Sequence, residues 1–139
     1  SSNLEYKLRG YLLKKKSGVL FLAPLDVIFS DENVVQPDLI YVSNKNRRII
    51  KENGINGIPD LAVEVVSDEG YDVKKKMAVY ATYAVRNLWY IFPEEKLLKV
   101  YKLQEGHYKL TKACDEKDTL THSLFPGFKV KMRKVFARW

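Results

Sequence analysis

Two carboxylates stand in the middle of apolar stretches, at positions where an aliphatic residue would be expected. Glu64 lies within GIPDLAVEVVS (57–67), and Asp38 lies within VVQPDLIYV (34–42). Burying an unpaired carboxylate is costly, so such a residue usually has a cation, a hydrogen-bond network or a catalytic task. Both stretches are typical of buried β-strands, and neighbouring strands lie only ~4.8 Å apart. The two acids are therefore candidate ligands of one metal ion.

Strand geometry indicates which of the nearby acids can share a metal ion with Glu64. Asp60 and Glu64 are four residues apart on one predicted strand, which separates them by about 13 Å at ~3.3 Å per residue. The oxygen ligands of Mg²⁺ lie only ~2.0–2.1 Å from the ion. Asp60 and Glu64 therefore cannot share one ion, whereas Asp38 and Glu64 can. Asp60, which follows Pro59, is interpreted as a turn cap.

An oxygen-only ligand pair suits Mg²⁺ or Mn²⁺ and points to phosphate chemistry. A lysine near the attacked phosphate would complete such a site, and Lys74, Lys75 and Lys76 follow the Glu64 strand closely. Lys76 lies at the margin of the apolar face of the next predicted helix, while Lys74 and Lys75 point towards solvent or a nucleic-acid backbone. Three plainer interpretations stay open: Asp38 is an edge-strand acid, Glu64 pairs with an arginine or lysine, and the lysine run is a solvated face.

The charge balance favours a polyanionic partner. The chain has 24 Lys and Arg residues against 17 Asp and Glu residues, for a formal net charge of +7. Such a balance favours association with nucleic acid, although surplus lysines can also simply maintain solubility. No apolar run approaches the ~18 residues that span a bilayer, and one cysteine fits a reducing compartment. We therefore predict a cytoplasmic protein with no membrane partner.

The pattern of elements predicts an α/β (mixed α+β) domain with a central mixed sheet flanked by helices. An amphipathic helix capped by Ser2 opens the chain, a second runs from an Asp72 cap to about residue 84, and a third follows Val130. Residues 43–57 are predicted to be a long polar loop in which Ile49 and Ile50 could form a short helical turn, and residues 67–70 a turn. The stretches predicted to be strands or extended pieces are 19–29, 34–42, 60–66, 88–92, 96–103, 107–113 and 119–124, with the first two forming an antiparallel hairpin.

Several segments, taken in order, resemble the Uma-two (Uma2) family, bacterial proteins described as restriction endonucleases of the PD-(D/E)XK nuclease superfamily. They are VVQPDL (34–39), GIPDLAVEVVS (57–67), the step from Asp72 to Lys76, MAVYATYAV (77–85), LWYIFPEE (88–95), KVYKLQEGHYKL (99–110) and LFPGFKV (124–130). The resemblance covers nearly the whole chain from about Leu4 onward. It implies a restriction-endonuclease-like core formed by a single domain over residues 1–139, and the family's usual start precedes residue 1.

The resemblance also implies roles for individual residues. Asp38 matches the metal-binding aspartate of the superfamily, and Glu64 matches the acid of its (D/E)XK strand. Val66 stands where that pattern has lysine, so Lys76 on the following helix would supply the cation. Glu5 is a weaker candidate for a further glutamate on the first helix. The implied activity is Mg²⁺- or Mn²⁺-dependent endonuclease cleavage of DNA.

Other basic residues are candidates for contacts with the DNA backbone. They are Lys45, Arg47, Arg48, Lys74 and Lys75, together with the C-terminal Lys129, Lys131, Arg133 and Lys134. A homodimer would suit cleavage of both strands. The alternative to a nuclease is a non-catalytic nucleic-acid-binding or assembly module that retains the fold.

The remaining residue types that carry chemistry are interpreted as structural. His107 and His122 have no companions at ligand spacing, and they are predicted to be surface or packing residues. Trp89 and Trp139 are predicted to pack in the core and at the chain end rather than to stack on bases.

Overall fold

The computed structural model describes residues 2–67 and 69–137, without the side chain of Ser2. The helices are α1 (Ser2–Lys15), α2 (Val73–Thr82) and α3 (Met132–Phe136), with a 3₁₀ helix at Asn44–Ile49. The strands are β1 (Gly18–Leu22), β2 (Val27–Ile28), β3 (Val34–Val35), β4 (Leu39–Ser43), β5 (Ile50–Lys51), β6 (Gly54–Asn56), β7 (Leu61–Val65), β8 (Asn87–Phe92), β9 (Leu97–Gln104), β10 (His107–Cys114), β11 (Thr119–Leu120) and β12 (Val130–Lys131).

A six-stranded sheet forms the centre of the molecule, in the order β1-β4-β7-β8-β9-β10. The pair β7–β8 is parallel and the other neighbours in this sheet are antiparallel. A smaller sheet of order β3-β2-β6-β5 and the pair β11–β12 complete the strands of the described residues. This mixed α+β architecture confirms the predicted fold class.

The two faces of the central sheet carry separate apolar cores. Helices α1 and α3 pack on one face, where Leu8 of α1 joins a cluster with Leu39 and Val63. Helix α2 packs on the other face, where Tyr80 joins a cluster with Ile40 and Ala62. Because side chains alternate between the faces of a strand, residues 38 and 64 lie on the α2 face. The fold thus directs both candidate acids towards α2.

The predicted hairpin of residues 19–42 forms, but it bends between two sheets. Strand β1 pairs with β4 in the central sheet and β2 pairs with β3 in the smaller one, both antiparallel. The breaks contain Pro24 and Pro37, and proline lacks the N–H that a continuing ladder requires. The two continuous strands predicted here were therefore wrong in extent. The bend leaves Asp38 immediately before β4.

The prediction of a long polar loop at residues 43–57 was wrong in extent, although a helical turn does form there and ends at Ile49. That segment contains the 3₁₀ helix and the antiparallel pair β5–β6. Ile49 and Ile55 are buried in the core on the α2 face, and their burial anchors a segment whose composition is mostly polar. Burial of such a side chain stabilises by about 1.5–3 kcal/mol relative to exposure.

The other differences concern element ends. Helix α2 begins after its predicted Asp72 cap but ends at Thr82, and Ala84 adopts a positive φ of 59°. Strand β11 and helix α3 are shorter than predicted. The predicted cap of the Ser2 side chain, the turn position Asp68 and the packing of Trp139 lie outside the described residues.

Candidate active site

The antiparallel pairing of β4 with β7 brings the two predicted metal ligands together. Leu39 pairs with Val63, and the register extended by one residue places Asp38 across from Glu64. Oδ2 of Asp38 accepts a hydrogen bond of 2.7 Å from the N–H of Val65. Asp38 is half-buried, while Glu64 is only 5% exposed. The pair therefore sits at the boundary between the core and solvent.

A buried tyrosine holds the Glu64 carboxylate. The hydroxyl of Tyr80 donates a hydrogen bond of 2.5 Å to Oε2 of Glu64, and Tyr80 is fully buried. Burial and the negative charge of Glu64 raise the pKa of Tyr80, so this hydroxyl stays protonated as a donor. A second tyrosine, Tyr71, also hydrogen-bonds to Glu64, and its hydroxyl lies 3.0 Å from that of Tyr90. Glu64 is therefore fixed in one orientation.

The pKa of the Glu64 carboxyl depends on its burial and on its neighbours. The pKa of its carboxyl is raised from 4.5 to about 6, first by burial and then by the negative charge of Asp38. The hydrogen bonds from Tyr80 and Tyr71 and the positive charge of Lys76 act in the opposite direction. Ionised Glu64 is thus incompletely compensated by its protein neighbours, which is the situation that a bound cation would relieve.

Helix α2 supplies the lysine of the site. Oδ1 of Asp72 accepts a hydrogen bond of 3.0 Å from the N–H of Lys75, which caps the first turn of the helix. Lys76 and Tyr80 are four residues apart and so lie on one side of α2. Lys76 is half-buried, whereas Lys74 and Lys75 are exposed. The positive charge of Lys76 acts on Glu64, so the structure brings Lys76 near that acid.

The position that carries lysine in the superfamily pattern is apolar in this chain. Val66 is half-buried and packs against the core on the α2 face, and its N–H donates to the carbonyl of Ile91. The side chain at this position thus supports packing, and the positive charge comes from α2.

A cleft of about 550 Å³ opens beside the acids, between β3 and the start of α2. Its walls include Val35, Tyr71, Lys75 and Lys76. Tyr71 and Lys76 both interact with Glu64, so the cleft shares two of its lining residues with the surroundings of that carboxylate.

The donor set fits a hard divalent cation. Tyr80 engages Oε2 of Glu64 and Val65 engages Oδ2 of Asp38, and a carboxylate has about four lone-pair sites, so each acid can also bind a cation. Carboxylate oxygens suit Mg²⁺ or Mn²⁺. Within residues 2–67 and 69–137 no group of three or more His, Cys, Asp or Glu side chains could hold a metal. Main-chain carbonyls and waters would have to complete a coordination shell.

Asp60 has the capping role predicted for it. Its Oδ2 accepts a hydrogen bond of 2.6 Å from the N–H of Ser43, where β4 leads into the 3₁₀ helix. The side-chain amide of Asn46 approaches the same oxygen at 3.5 Å. Asp60 therefore stabilises the end of β4 and is not part of the Asp38 pair.

Two of the predicted groups of DNA-contact residues lie away from the acids. Lys45, Arg47 and Arg48 are exposed on the 3₁₀ helix, beyond an intervening strand of about 17 Å. Of the exposed C-terminal residues, Lys129 and Lys131 precede α3 and Arg133 and Lys134 lie on it, and α3 packs on the opposite face of the sheet. Lys74 and Lys75 are the members that share α2 with Lys76.

Glu5 is not placed with the two acids. It forms an ion pair with Arg9 on α1, at 2.5 Å between Arg9 Nε and Glu5 Oε2, and the apolar side of α1 packs on the other face of the sheet.

The roles of Tyr71, Tyr80 and Tyr90 were not predicted from the sequence. The available signal was the four-residue spacing of Lys76 and Tyr80 on a helix that follows a buried acid.

The histidines and the described tryptophan behave as predicted. His107 is exposed, whereas His122 packs against Trp89 with ring centroids 5.3 Å apart. Trp89 is fully buried. The part of the chain that the structure describes has no helix long and apolar enough to cross a membrane.

A sheet with two facing acids and a helix-borne lysine is the arrangement expected of a nuclease fold, and comparison with known proteins agrees at the level of family. The model of the Uma2 family, described as "Putative restriction endonuclease", matches residues 1–133. The chain belongs to this family.

Solved structures show the same fold. The chain is similar to the crystal structure of a putative nuclease belonging to DUF820 from Anabaena variabilis ATCC 29413, with a TM-score of 0.76 and 19% sequence identity. The alignment covers 98% of this chain and 77% of that chain. No curated protein gives a significant match.

Proposed function

We propose that the protein is a metal-dependent endonuclease that hydrolyses phosphodiester bonds of DNA. The observation that carries this proposal is the pairing of Asp38 with the buried Glu64 on one face of the sheet, with the positive charge of Lys76 acting on Glu64. Membership of a family described as restriction endonucleases supports DNA as the substrate.

Asp38 and Glu64 would hold Mg²⁺ or Mn²⁺. Such an ion, when bound, lowers the pKa of water and offsets negative charge at phosphorus. In the hydrolysis, the oxygen of one water bonds to phosphorus and one P–O ester bond breaks. The products are a phosphate monoester and a hydroxyl group, and the leaving oxygen takes up a proton.

The side chains of the protein position the reacting groups and neutralise negative charge. The Lys76 ammonium orients the attacking water or offsets the negative charge that develops on the phosphate. Tyr80 and Tyr71 hold Glu64 in place through their hydroxyl groups. The exposed Lys75 contacts the nucleic-acid backbone at the mouth of the cleft, and the exposed Lys74 contacts it elsewhere on α2. A homodimer that cuts both strands remains a prediction, which the mass of the protein in solution tests.

The direct test is nicking of supercoiled plasmid with Mg²⁺ or Mn²⁺ by the wild type, Asp38→Ala and Glu64→Ala. We expect cleavage by the wild type, its abolition by EDTA, and its loss in both variants. Glu52→Ala, at an exposed acid in the β5–β6 turn, is the matched control and should cleave normally. Equal cleavage by the wild type and both site variants would contradict the proposal, because the activity would then come from elsewhere.

The net charge of +7 favours a second candidate, a non-catalytic nucleic-acid-binding module. Phosphate contacts make binding weaken steeply with salt. Wild-type protein that retains DNA in a salt-dependent manner and gives no cleavage with either metal would favour this module. Absence of DNA binding even at low salt would instead leave the basic charge as a determinant of solubility.

A further inference from the structure

A second polar cavity lies on the sheet face opposite Asp38 and Glu64. Its volume is about 450 Å³, and strands β9 and β10 and residues 121–129 form its walls. Three lysines line it, Lys102, Lys112 and Lys129, and none of its lining residues is an acid. The cavity is therefore a concentration of positive charge separate from the proposed catalytic site.

Among the described residues, the lysines of this cavity form no ion pair with an acid. The ion pairs found among the described residues are Arg9–Glu5 and Lys96–Glu116. Lys112 is nevertheless held in place, since its Nζ donates to both the carbonyl and the hydroxyl of Thr121 at 3.1 Å. An ammonium group has three N–H donors, so one donor of Lys112 remains for a ligand.

His122 adds a neutral donor to the same wall. Its Nδ1 accepts a hydrogen bond of 3.1 Å from the N–H of Leu124, so the proton of the neutral ring resides on Nε2. The pKa of His122 is lowered to about 4, first by burial and then by the positive charges of Lys112 and Lys102. The adjacent Trp89 has a buried indole N–H with no acceptor among the described residues.

An apolar wall completes the cavity. Val100, Phe125 and Phe128 line it beside the lysines. The volume falls within the range of sites for small organic ligands, ~300–1,000 Å³, and is more than a bare phosphate ion needs. We propose that this cavity binds the phosphate group of a nucleotide, either free or within a nucleic-acid strand. The proposal does not depend on nuclease activity.

Calorimetric titration of the full chain tests the site with dAMP, deoxyadenosine and a single-stranded octanucleotide. We expect Lys102→Gln and Lys129→Gln each to weaken binding about 10-fold, as loss of a charge-assisted contact does. Lys99→Gln is the matched control, because Lys99 lies on the same strand but shares the opposite face with Tyr90. It removes the same charge and should change affinity less than about twofold.

The three probes distinguish a free nucleotide from a nucleic-acid strand as the source of the phosphate. Saturable binding of dAMP would assign the site to free nucleotides, and binding of the octanucleotide alone, weakened by Lys102→Gln, would assign it to a strand. Glu64→Gln should bind as the wild type does, which separates this proposal from the nuclease. In NMR titrations the pKa of His122 should rise when ligand is bound, since an anion offsets the lysine charges.

Three results would overturn the proposal. They are no saturable binding of any probe, equal affinity for deoxyadenosine and dAMP, and equal weakening by Lys99→Gln and Lys102→Gln. The last result would mean that overall charge, and not this cavity, attracts the ligand.

Discussion

Two aspartates that each follow a proline occupy nearly equivalent positions in the molecule. Asp38 stands before β4 and Asp60 before β7, and these strands are antiparallel. Asp38 accepts a hydrogen bond from the N–H of Val65 at the far end of β7. Asp60 accepts one from the N–H of Ser43 at the far end of β4. The two carboxylates thus make the same contact, related by the local symmetry of the strand pair.

The two aspartates differ in the residue that lies opposite each of them on the neighbouring strand. The register places Glu64 opposite Asp38 and Val42 opposite Asp60. Only the first pair combines two negative charges with Lys76 nearby. A Pro-Asp sequence therefore determines a local cap, and the residue facing it determines whether the carboxylate can also bind a metal. The predictions below separate these two roles.

The largest expected effect concerns the positive charge of Lys76, which lies near the pair of Asp38 and Glu64. Lys76→Ala should lower kcat for plasmid cleavage by about 100-fold, because the charge beside the acids is lost. Lys75→Ala removes an exposed lysine of the same helix and should mainly raise KM. Steady-state kinetics on a short duplex would separate the two effects. Equal changes of kcat in both variants would remove Lys76 from the site.

The next effect concerns stability and pH. Glu64 has a folded pKa of about 6, above the ordinary value of 4.5, so between these values the native state binds more protons than the unfolded chain. Ionisation of Glu64 therefore costs stability as pH rises from 4.5 through 6, by roughly 2 kcal/mol at pH 8. In metal-free protein, Glu64→Gln should raise the free energy of unfolding at pH 8 by about this amount.

Urea unfolding of the wild type and Glu64→Gln from pH 4 to pH 8 checks this prediction. The difference between them should shrink towards zero near pH 4, where Glu64 is protonated in both states. A difference that does not change with pH would mean that Glu64 is not strained by burial and by Asp38. Glu52→Gln serves as the exposed control.

The smallest effect separates the two caps. Asp60→Ala should lower the free energy of unfolding by about 1 kcal/mol, because the N–H of Ser43 loses its acceptor. Asp38→Ala loses the equivalent acceptor but also relieves repulsion with Glu64, so in metal-free protein it should cost less. Chemical denaturation at pH 8 compares the two. A larger cost for Asp38→Ala would contradict the repulsion assigned to the pair.

The sequence was sufficient to select the acids, because strand geometry alone excludes Asp60 as a partner of Glu64. The resemblance to a known family added Lys76, which strand periodicity could not identify. The tyrosines around Glu64 were not predicted. Their hydroxyl groups reach the acid only through the packing of α2 on the sheet, and a buried tyrosine has the same periodic signal as any apolar residue.

The smaller sheet, β3-β2-β6-β5, could not be predicted from the sequence pattern either. Two-residue strands such as β2 and β5 have no periodicity of their own, and they exist because of their pairing partners. The prolines that end β1 and β3 marked the breaks, but not the direction in which the chain would bend. For the same reason Lys45, Arg47 and Arg48 could not be placed relative to Asp38 from spacing alone.

Plasmid cleavage by Asp38→Ala and Asp60→Ala, compared at equal folded fraction with Mg²⁺ or Mn²⁺, tests the central claim most directly. Both substitutions remove a carboxylate that follows a proline and caps a neighbouring strand end. We predict that Asp60→Ala stays within about threefold of the wild type, while Asp38→Ala loses activity by at least about 100-fold, as expected for a metal ligand. Equal activity in the two variants, whether both retained or both lost, would contradict the assignment of Asp38 and Glu64 as the metal-binding pair.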